Sequence, residues 1–260
     1  MNNAPSPDST SRFDGRVKFD SDKNIESLLS DHFRKECISP LEAVQNFPVY
    51  ARRIHLKRFL SHYELFQRTI NLPGDIVELG VFGGVSLLTW ANFLEIRNMG
   101  DRQKQVFGFD NFEGFKRFDP EDGRLDPTFK KEVGGFRNDD LHRSLLDAIK
   151  IFDSDRFIPY KPRIRLIQGD IEETVPQFIE NNPGLRISLL HFDCDLFKPT
   201  LVALNHLFPL VVSGGVVLFD EYGIRPWGGE SEAVDQYFKG SGYSLKRFDW
   251  TSNPGGYLIK

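Results

Sequence analysis

The stretch DIVELGVFGGVSLLTW, Asp75 to Trp90, reads as a short apolar strand, a glycine turn and a helix. The turn holds Gly80, Val81, Phe82, Gly83 and Gly84, and its glycines let the backbone bend sharply and approach a ligand closely. Ser86 is placed to cap the helix, whose positive end would then face the crevice beyond the strand. In an open parallel sheet that crevice, outside the carboxyl ends of the strands, is where cofactors bind. The same turn can also join strand to helix and bind nothing.

Outward from this unit the chain alternates short apolar runs with helical segments. Strands are expected at Ile76–Leu79, Gln105–Phe109, Ile164–Gln168, Ile187–Phe192 and Val216–Phe219. Helices are expected at Ser86–Asn98, Asp139–Phe152, Val175–Glu180 and Pro199–Phe208. Such alternation gives an α/β fold, with a doubly wound, mostly parallel sheet covered by helices on both faces. The end differs: YSLKRF and GYLIK are separated only by DWTSNPG, a connection short enough for an antiparallel hairpin. Together these runs predict seven strands.

Residues 1–24 are polar and rich in Ser, Pro, Asp and Asn, and read as a flexible arm. Residues 25–260 then form a single domain, with N-terminal helices over 25–72. The segment Asn111–Pro162 is long for one crossover and reads as an insertion or lid.

Composition excludes several classes. A formal net charge of −4 and scattered basic residues give no field to attract nucleic acid. Cys37 and Cys194 cannot make a disulfide framework or a cysteine zinc site. The run LVALNHLFPLVVSGGVVLF, Leu201 to Phe219, is about long enough to span a bilayer, but Pro209 and the Ser213–Gly215 break divide it into helix, turn and buried strand. With no apolar leader in the first thirty residues, a cytoplasmic, membrane-free chain is expected. An extended arm of this kind commonly packs on a second copy, so a homo-oligomer is possible.

A dinucleotide fingerprint would need a glycine where Phe82 stands and an acid about twenty residues on. The next strand-end acid is Asp110, thirty residues after Gly80. The Glu78-x-Gly80 pattern instead suits S-adenosylmethionine, whose amino group and ribose diol need acceptors and not a pyrophosphate cradle. Asp110 could accept from the ribose hydroxyls, with Phe112 beside it. Asp170, next to Ile171, could accept from the adenine amine or cap a helix, and the two roles are compatible.

Two acidic pairs remain. Asp193 and Asp195 end the fourth expected strand, in HFDCDLFKPT; Asp220 and Glu221 end the fifth, in VVLFDEYG. Strand alternation would turn Asp193 and Asp195 to one side and Cys194 to the other. Clustered carboxylates resist being ionised together, and only Lys198 and Arg225 offer fixed positive charge nearby in sequence. A hard divalent cation with oxygen ligands supplies the missing charge, and magnesium suits the set.

ELGVFGGVS, GFDNFEGF, QGDIEETVP, HFDCDLFKPT and SGGVVLFDEYG, in this order, resemble the macrocin O-methyltransferase family over roughly Pro73 to Phe238. The resemblance implies a Rossmann-like class I methyltransferase, dependent on S-adenosylmethionine and magnesium, that methylates a sugar hydroxyl of a natural product. It places Asp193, Asp220 and Glu221 on the metal and Asp195 as general base. Glu78, Gly80 and the turn to Ser86 fall on the amino-acid part of the cofactor, Asp110 on its ribose and Asp170 on its adenine. Phe197 and Glu221 depart from the family's usual Tyr and Asp. The alternatives in view are a catechol-like or phosphoramidate acceptor on the same site, and a cofactor-binding protein without catalysis.

Overall fold

The computed structural model describes residues 20–260; most of the expected arm lies outside them, and its last five residues open a helix. That helix, α1 (Asp20–Lys35), is followed by α2 (Pro40–Gln45) and α3 (Phe47–Tyr50). They belong to the first of two compact units, which ends at Arg58; the second is Phe59–Lys260. Within the first unit Ser39 caps α2 by accepting from the Glu42 N–H at 3.2 Å. The rings of Phe33 and Tyr50 meet edge-on at 5.1 Å.

α4 (Arg53–Gln67) buries Ser61, His62, Leu65 and Phe66. The sheet and its crossovers follow in order: β1 (Asp75–Leu79), α5 (Val85–Arg97), β2 (Val106–Asp110), α6 (Asp139–Asp155), β3 (Ile164–Gln168), α7 (Ile171–Asn181), β4 (Ile187–Phe192), α8 (Phe197–Leu207), β5 (Val211–Phe219), α9 (Gly228–Phe238) and β6 (Gly256–Ile259). The strands lie in the order β3-β2-β1-β4-β5-β6. The first five are parallel, and β6 runs antiparallel beside β5.

Helices on both faces make the strands apolar on both sides, as parallel sheets require. One layer packs Val77, Phe109, Leu190 and Phe219 with Val175, Leu204 and Val234 of α7, α8 and α9. The other packs Ile76, Leu189 and Leu218 with Phe66, Trp90 and Leu94 of α4 and α5. Beside that layer Arg156 and Arg163 both donate to Glu95 Oε1 at 2.8 Å, tying the end of α6 and the start of β3 to α5.

Register decides where the site falls. Leu79 lies level with Phe109 on one side and Phe192 on the other, and Phe192 lies level with Phe219. The residues that follow these strands, Gly80, Asp193 and Asp220, therefore emerge at one edge of the sheet beside Asp110.

Three expectations need correction. The sheet has six strands, because YSLKRF contributes a single bridge, Lys246 to Tyr257. Residues 239–247 are almost wholly exposed, so no buried face holds that segment in register. Second, β5 begins at Val211, and Ser213–Gly215 lies inside the strand instead of breaking it. The register with β4 shifts there, and Gly214 takes a φ of 81°. Third, Ser86 does not cap α5; Gly84, in the left-handed region, occupies the N-cap and Ser86 is buried in the first turn.

Candidate functional site

A solvent-open cleft lies at the carboxyl edge of the sheet. Its floor is Gly80 and Phe82 after β1, Asp110 and Phe112 after β2, Gly169 to Ile171 after β3, and Asp193 to Leu196 after β4. Its far wall comes from the segment between β2 and α6, including Phe115, Asp122 and Phe136.

Gly80 has a φ of 87°, and a Cβ there would sit 1.9 Å from the Asp193 carbonyl oxygen. Only glycine lets the first turn pass this close to the fourth strand's end. The turn is then clamped by Asp110, whose Oδ2 accepts from the Val81 and Phe82 N–H groups at 2.8 Å each. Its Oδ1 accepts from Phe112 N–H at 2.7 Å. Asp110 therefore shapes the pocket with three short bonds while still facing it. Phe112 lines the cleft with one ring face covered by His142, stacked at 3.8 Å and 5°. Asp170 faces the cleft and also caps α7, accepting from Glu172 N–H at 3.1 Å.

Asp193 and Asp195 both reach the cleft, but alternation along a strand is not the reason. β4 ends at Phe192, and Asp195 adopts a φ of 64°, a left-handed conformation that Asp tolerates better than most residues. Cys194 is turned inward against the Thr200 hydroxyl at 3.3 Å, where burial pushes its thiol pKa well up. The N-cap position of α8 is Leu196, which offers no capping side chain. Asp122 supplies a cap from across the cleft: its Oδ1 accepts from Phe197 N–H at 2.7 Å and its Oδ2 from Asp119 N–H at 2.7 Å.

Glu78 does not line the cleft. It is 1% exposed, and its Oε2 lies 3.2 Å from His191 Nδ1. On the other side His191 Nε2 lies 3.0 Å from Asp220 Oδ1. Burial opposes a charged ring here, but the Asp220 and Glu78 carboxylates outweigh it and raise the His191 pKa to about 10. Trp90 Nε1 is 3.3 Å from the same Nδ1. A nitrogen that donates to Glu78 has no lone pair for the indole, so this contact is edge-on packing at 84°.

Asp220 is 1% exposed; besides His191 it accepts from Asn253 Nδ2 through Oδ2 at 2.9 Å. Asp220 belongs to a set of donor atoms within 4.8 Å of one another, but its companions there are His62 and His191, not Asp193 and Glu221. An imidazolium has no lone pair for a cation, so His191 leaves that trio short of a ligand. Glu221, partly exposed, has its backbone N–H held by Glu230 Oε1 at 2.8 Å.

The cation fit rests on the donors at the ends of β4 and β5. They are all oxygens, and Glu230 brings a buried carboxyl oxygen, Oε2, with no hydrogen-bond partner. Burial, then the charges of Glu221, Asp195 and Asp220, push the Glu230 pKa well up. Lys131, whose own pKa burial lowers, also feels Asp195 and caps the Asp122 carbonyl. Carboxylates still outnumber cations at this edge, and the donor chemistry suits a hard divalent ion. The same holds for S-adenosylmethionine, given acceptor carboxylates at the ends of β2 and β3 and an aromatic wall.

Residues 42–252 match the profile of the macrocin-O-methyltransferase (TylF) family. The chain belongs to that family. Among curated relatives in the comparison, an 8-demethyl-8-(2,3-dimethoxy-alpha-L-rhamnosyl)-tetracenomycin-C 4'-O-methyltransferase of Streptomyces olivaceus is 29% identical over 59% of this chain and 54% of its own length. The mycinamicin III 3''-O-methyltransferase of Micromonospora griseorubida is 27% identical over 75% of this chain and 74% of its own. This chain thus spans about half of the first relative and three quarters of the second. The crystal structure of CalS11, a calicheamicin methyltransferase, superposes with a TM-score of 0.87 at 25% identity, over 99% of each chain. An apo structure of the same CalS11, named a TDP-rhamnose 3'-O-methyltransferase, has a TM-score of 0.78 at 26% identity, over 94% of this chain and 96% of that one. The fold is that of the class I methyltransferases.

Within this family frame, several residues escaped the sequence reading. Asp122 carried a signal in FDPEDG, an Asp-Pro-x-Asp capping pattern, but nothing announced that it would also cap a distant helix. Lys131 and Glu230 lie in charged loop and helix sequence whose burial comes only from tertiary packing. Lys198, by contrast, is a half-exposed ion-pair partner, 3.3 Å from Glu172.

Proposed function

We propose that this protein is a magnesium-dependent O-methyltransferase that transfers the methyl of S-adenosylmethionine to a sugar hydroxyl. The observation that carries the reading is the convergence of Asp110, Asp170, Asp193 and Asp195 on one cleft. Family membership and the full-length likeness to a methyltransferase described as acting on TDP-rhamnose support it. The acceptor is a deoxyhexose hydroxyl, presented on a finished glycoside or on an activated sugar.

When bound, the cofactor would supply an electrophilic methyl and the cation would make the acceptor hydroxyl more acidic. The chain's own residues divide the remaining work. Asp193, Asp220 and Glu221 would hold the cation, with Asp220 fixed from beneath by His191 and Asn253. Asp195 would take the hydroxyl proton on its carboxylate as general base. Asp110 and Asp170 would orient the ribose and adenine, with Phe112 and Ile171 beside them. Gly80, Val81, Phe82 and Gly83 would shape the floor, and Ser86 lies buried behind them. Glu78 serves by anchoring His191 and not by touching the cofactor. The aromatic segment over 111–138 would exclude water and narrow the acceptor's approach. Catalysis then rests on alignment and charge placement.

Calorimetry with S-adenosylmethionine, followed by methyl transfer to a panel of rhamnosides, nucleotide-linked rhamnose and catechols, tests this reading. Cofactor binding and methylation confined to sugars are expected. No cofactor binding would overturn it, and catechol turnover alone would overturn the acceptor class.

A further inference from the structure

We propose that the rings of Phe82, Phe115 and Phe136 form a subsite for the C–H face of the acceptor sugar. The inference rests on the sugar O-methyltransferase reading above and names the side chains that would hold the acceptor.

All three rings line the cleft. Phe136 meets Phe82 edge-on at 5.5 Å and 85°, and it meets Phe115 at the same distance and angle. Trp227 is buried behind the corner, 5.5 Å from Phe115 and 6.0 Å from Phe136. Phe82 is 41% exposed, a large apolar ring left open to the cleft. Sheet order gives the corner its place. Phe82 follows β1 and Trp227 follows β5; between those strands runs β4, which leads into Asp193 and Asp195. Asp110 and Asp170, assigned above to the ribose and adenine, come from the ends of β2 and β3 on the other side of β1. The corner therefore belongs to the half of the cleft left to the acceptor.

Its backbone is costly to build. Six described non-glycine residues take a left-handed φ, and four of them, Phe82, Phe112, Phe136 and Asp195, line the cleft. Bulky side chains resist that conformation, and such strain gathers at functional sites. Close backbone packing fixes the rings. Gly134 N–H donates to the Phe115 carbonyl at 2.8 Å, and Phe115 N–H donates to the Gly135 carbonyl at 3.2 Å. A Cβ on Gly114 would fall 2.3 Å from the Gly135 carbonyl oxygen, so only glycine lets these two turns meet. Lys131 then ties the segment to the Trp227 side by donating to the Asp122 and Pro226 carbonyls.

The corner offers ring faces and edges. Aromatic faces carry partial negative charge. A pyranose presents one less polar face whose C–H hydrogens are partly positive, and a deoxy sugar adds a methyl group. Such a face suits the corner, while the hydroxyls on the sugar's rim remain free for the acids of the cleft.

Methyl rhamnoside and nucleotide-linked rhamnose test the idea as acceptors for wild type, Phe115→Leu, Phe136→Leu and Phe136→Tyr. Both leucine variants should raise the KM of either acceptor about tenfold with kcat little changed, the signature of lost ground-state binding. Phe136→Tyr keeps the ring and should stay near wild type, and calorimetry should find cofactor affinity unchanged in all three. Unchanged acceptor KM in both leucine variants would overturn the inference, as would a parallel loss of cofactor affinity. A rise confined to the nucleotide-linked acceptor would put the nucleotide on the rings and overturn the sugar assignment. If wild type methylates neither acceptor, the sugar reading falls and this inference with it. Should the leucine variants not fold, saturation-transfer NMR on wild type with methyl rhamnoside decides. Saturation from the protein's aromatic protons that is strongest at the sugar's ring C–H and methyl hydrogens supports the subsite, and its absence overturns it.

Discussion

His191 Nε2 sits 3.0 Å from Asp220 Oδ1 in a region with no solvent access, while Nδ1 of the same ring meets Glu78. One imidazolium thereby joins the acids that end β1 and β5 and fixes the Asp220 carboxylate beneath the carboxyl edge of the sheet. Removing the ring would leave two buried carboxylates without their shared partner. His191→Phe should therefore lose about 3–5 kcal/mol of stability, as expected when one partner of a buried pair is deleted. Urea denaturation measures it; a change within experimental error would show that the pairing is immaterial to the fold.

The same ring sets a pH dependence in chelator-treated protein. Its folded pKa of about 10 lies above the ordinary value near 6.5. The stabilisation is thus complete below about pH 6.5 and is lost as pH rises toward 10. Denaturant midpoints should fall across that window in wild type, and His191→Phe should lack this part of the fall. Parallel profiles for the two proteins would contradict the charged assignment.

Gly80→Ala would push a methyl to within 1.9 Å of the Asp193 carbonyl in a conformation that alanine resists. Strain of about 1–3 kcal/mol is expected, together with loss of cofactor affinity as the turn moves off β4. A melting curve and a cofactor titration read the two effects separately. Unchanged cofactor affinity would show that the close approach does not shape the pocket.

Asp122→Ala would strip the cap from α8 and the capping contact of its own loop. The expected cost is about 1–3 kcal/mol, with faster proteolysis in residues 111–138 and a raised KM for the acceptor. An unchanged cleavage pattern would show that Asp122 does not anchor the segment.

Asp195→Asn keeps the size of the side chain and removes its basicity. A fall in kcat of about 100- to 10,000-fold, with cofactor binding retained, is the expected signature of a lost general base. Activity near wild type would remove Asp195 from that role.

The sheet was legible because parallel strands buried on both faces must be apolar runs: Ile164–Gln168 and Ile187–Phe192 were read to the residue. The seventh strand was misread because YSLKRF has strand-like residues but no buried face, and pairing at an edge is a tertiary decision. At the site, the strand-end acids were visible as residues, but their partners were not. Nothing local in ELGVF tells that Glu78 points away from the cleft toward His191, since that depends on β4 lying beside β1. Glu230 escaped for a related reason: in GGESEAV it reads as a solvated helix acid, and its burial comes from the packing of α9 on α8.

The most direct test of the account is methyl transfer from labelled S-adenosylmethionine to a rhamnose-bearing acceptor, before and after chelation and with magnesium restored. The account predicts transfer to a sugar oxygen that chelation abolishes and magnesium recovers. Transfer undiminished by chelation would contradict it, as would a failure to methylate any sugar while the cofactor binds.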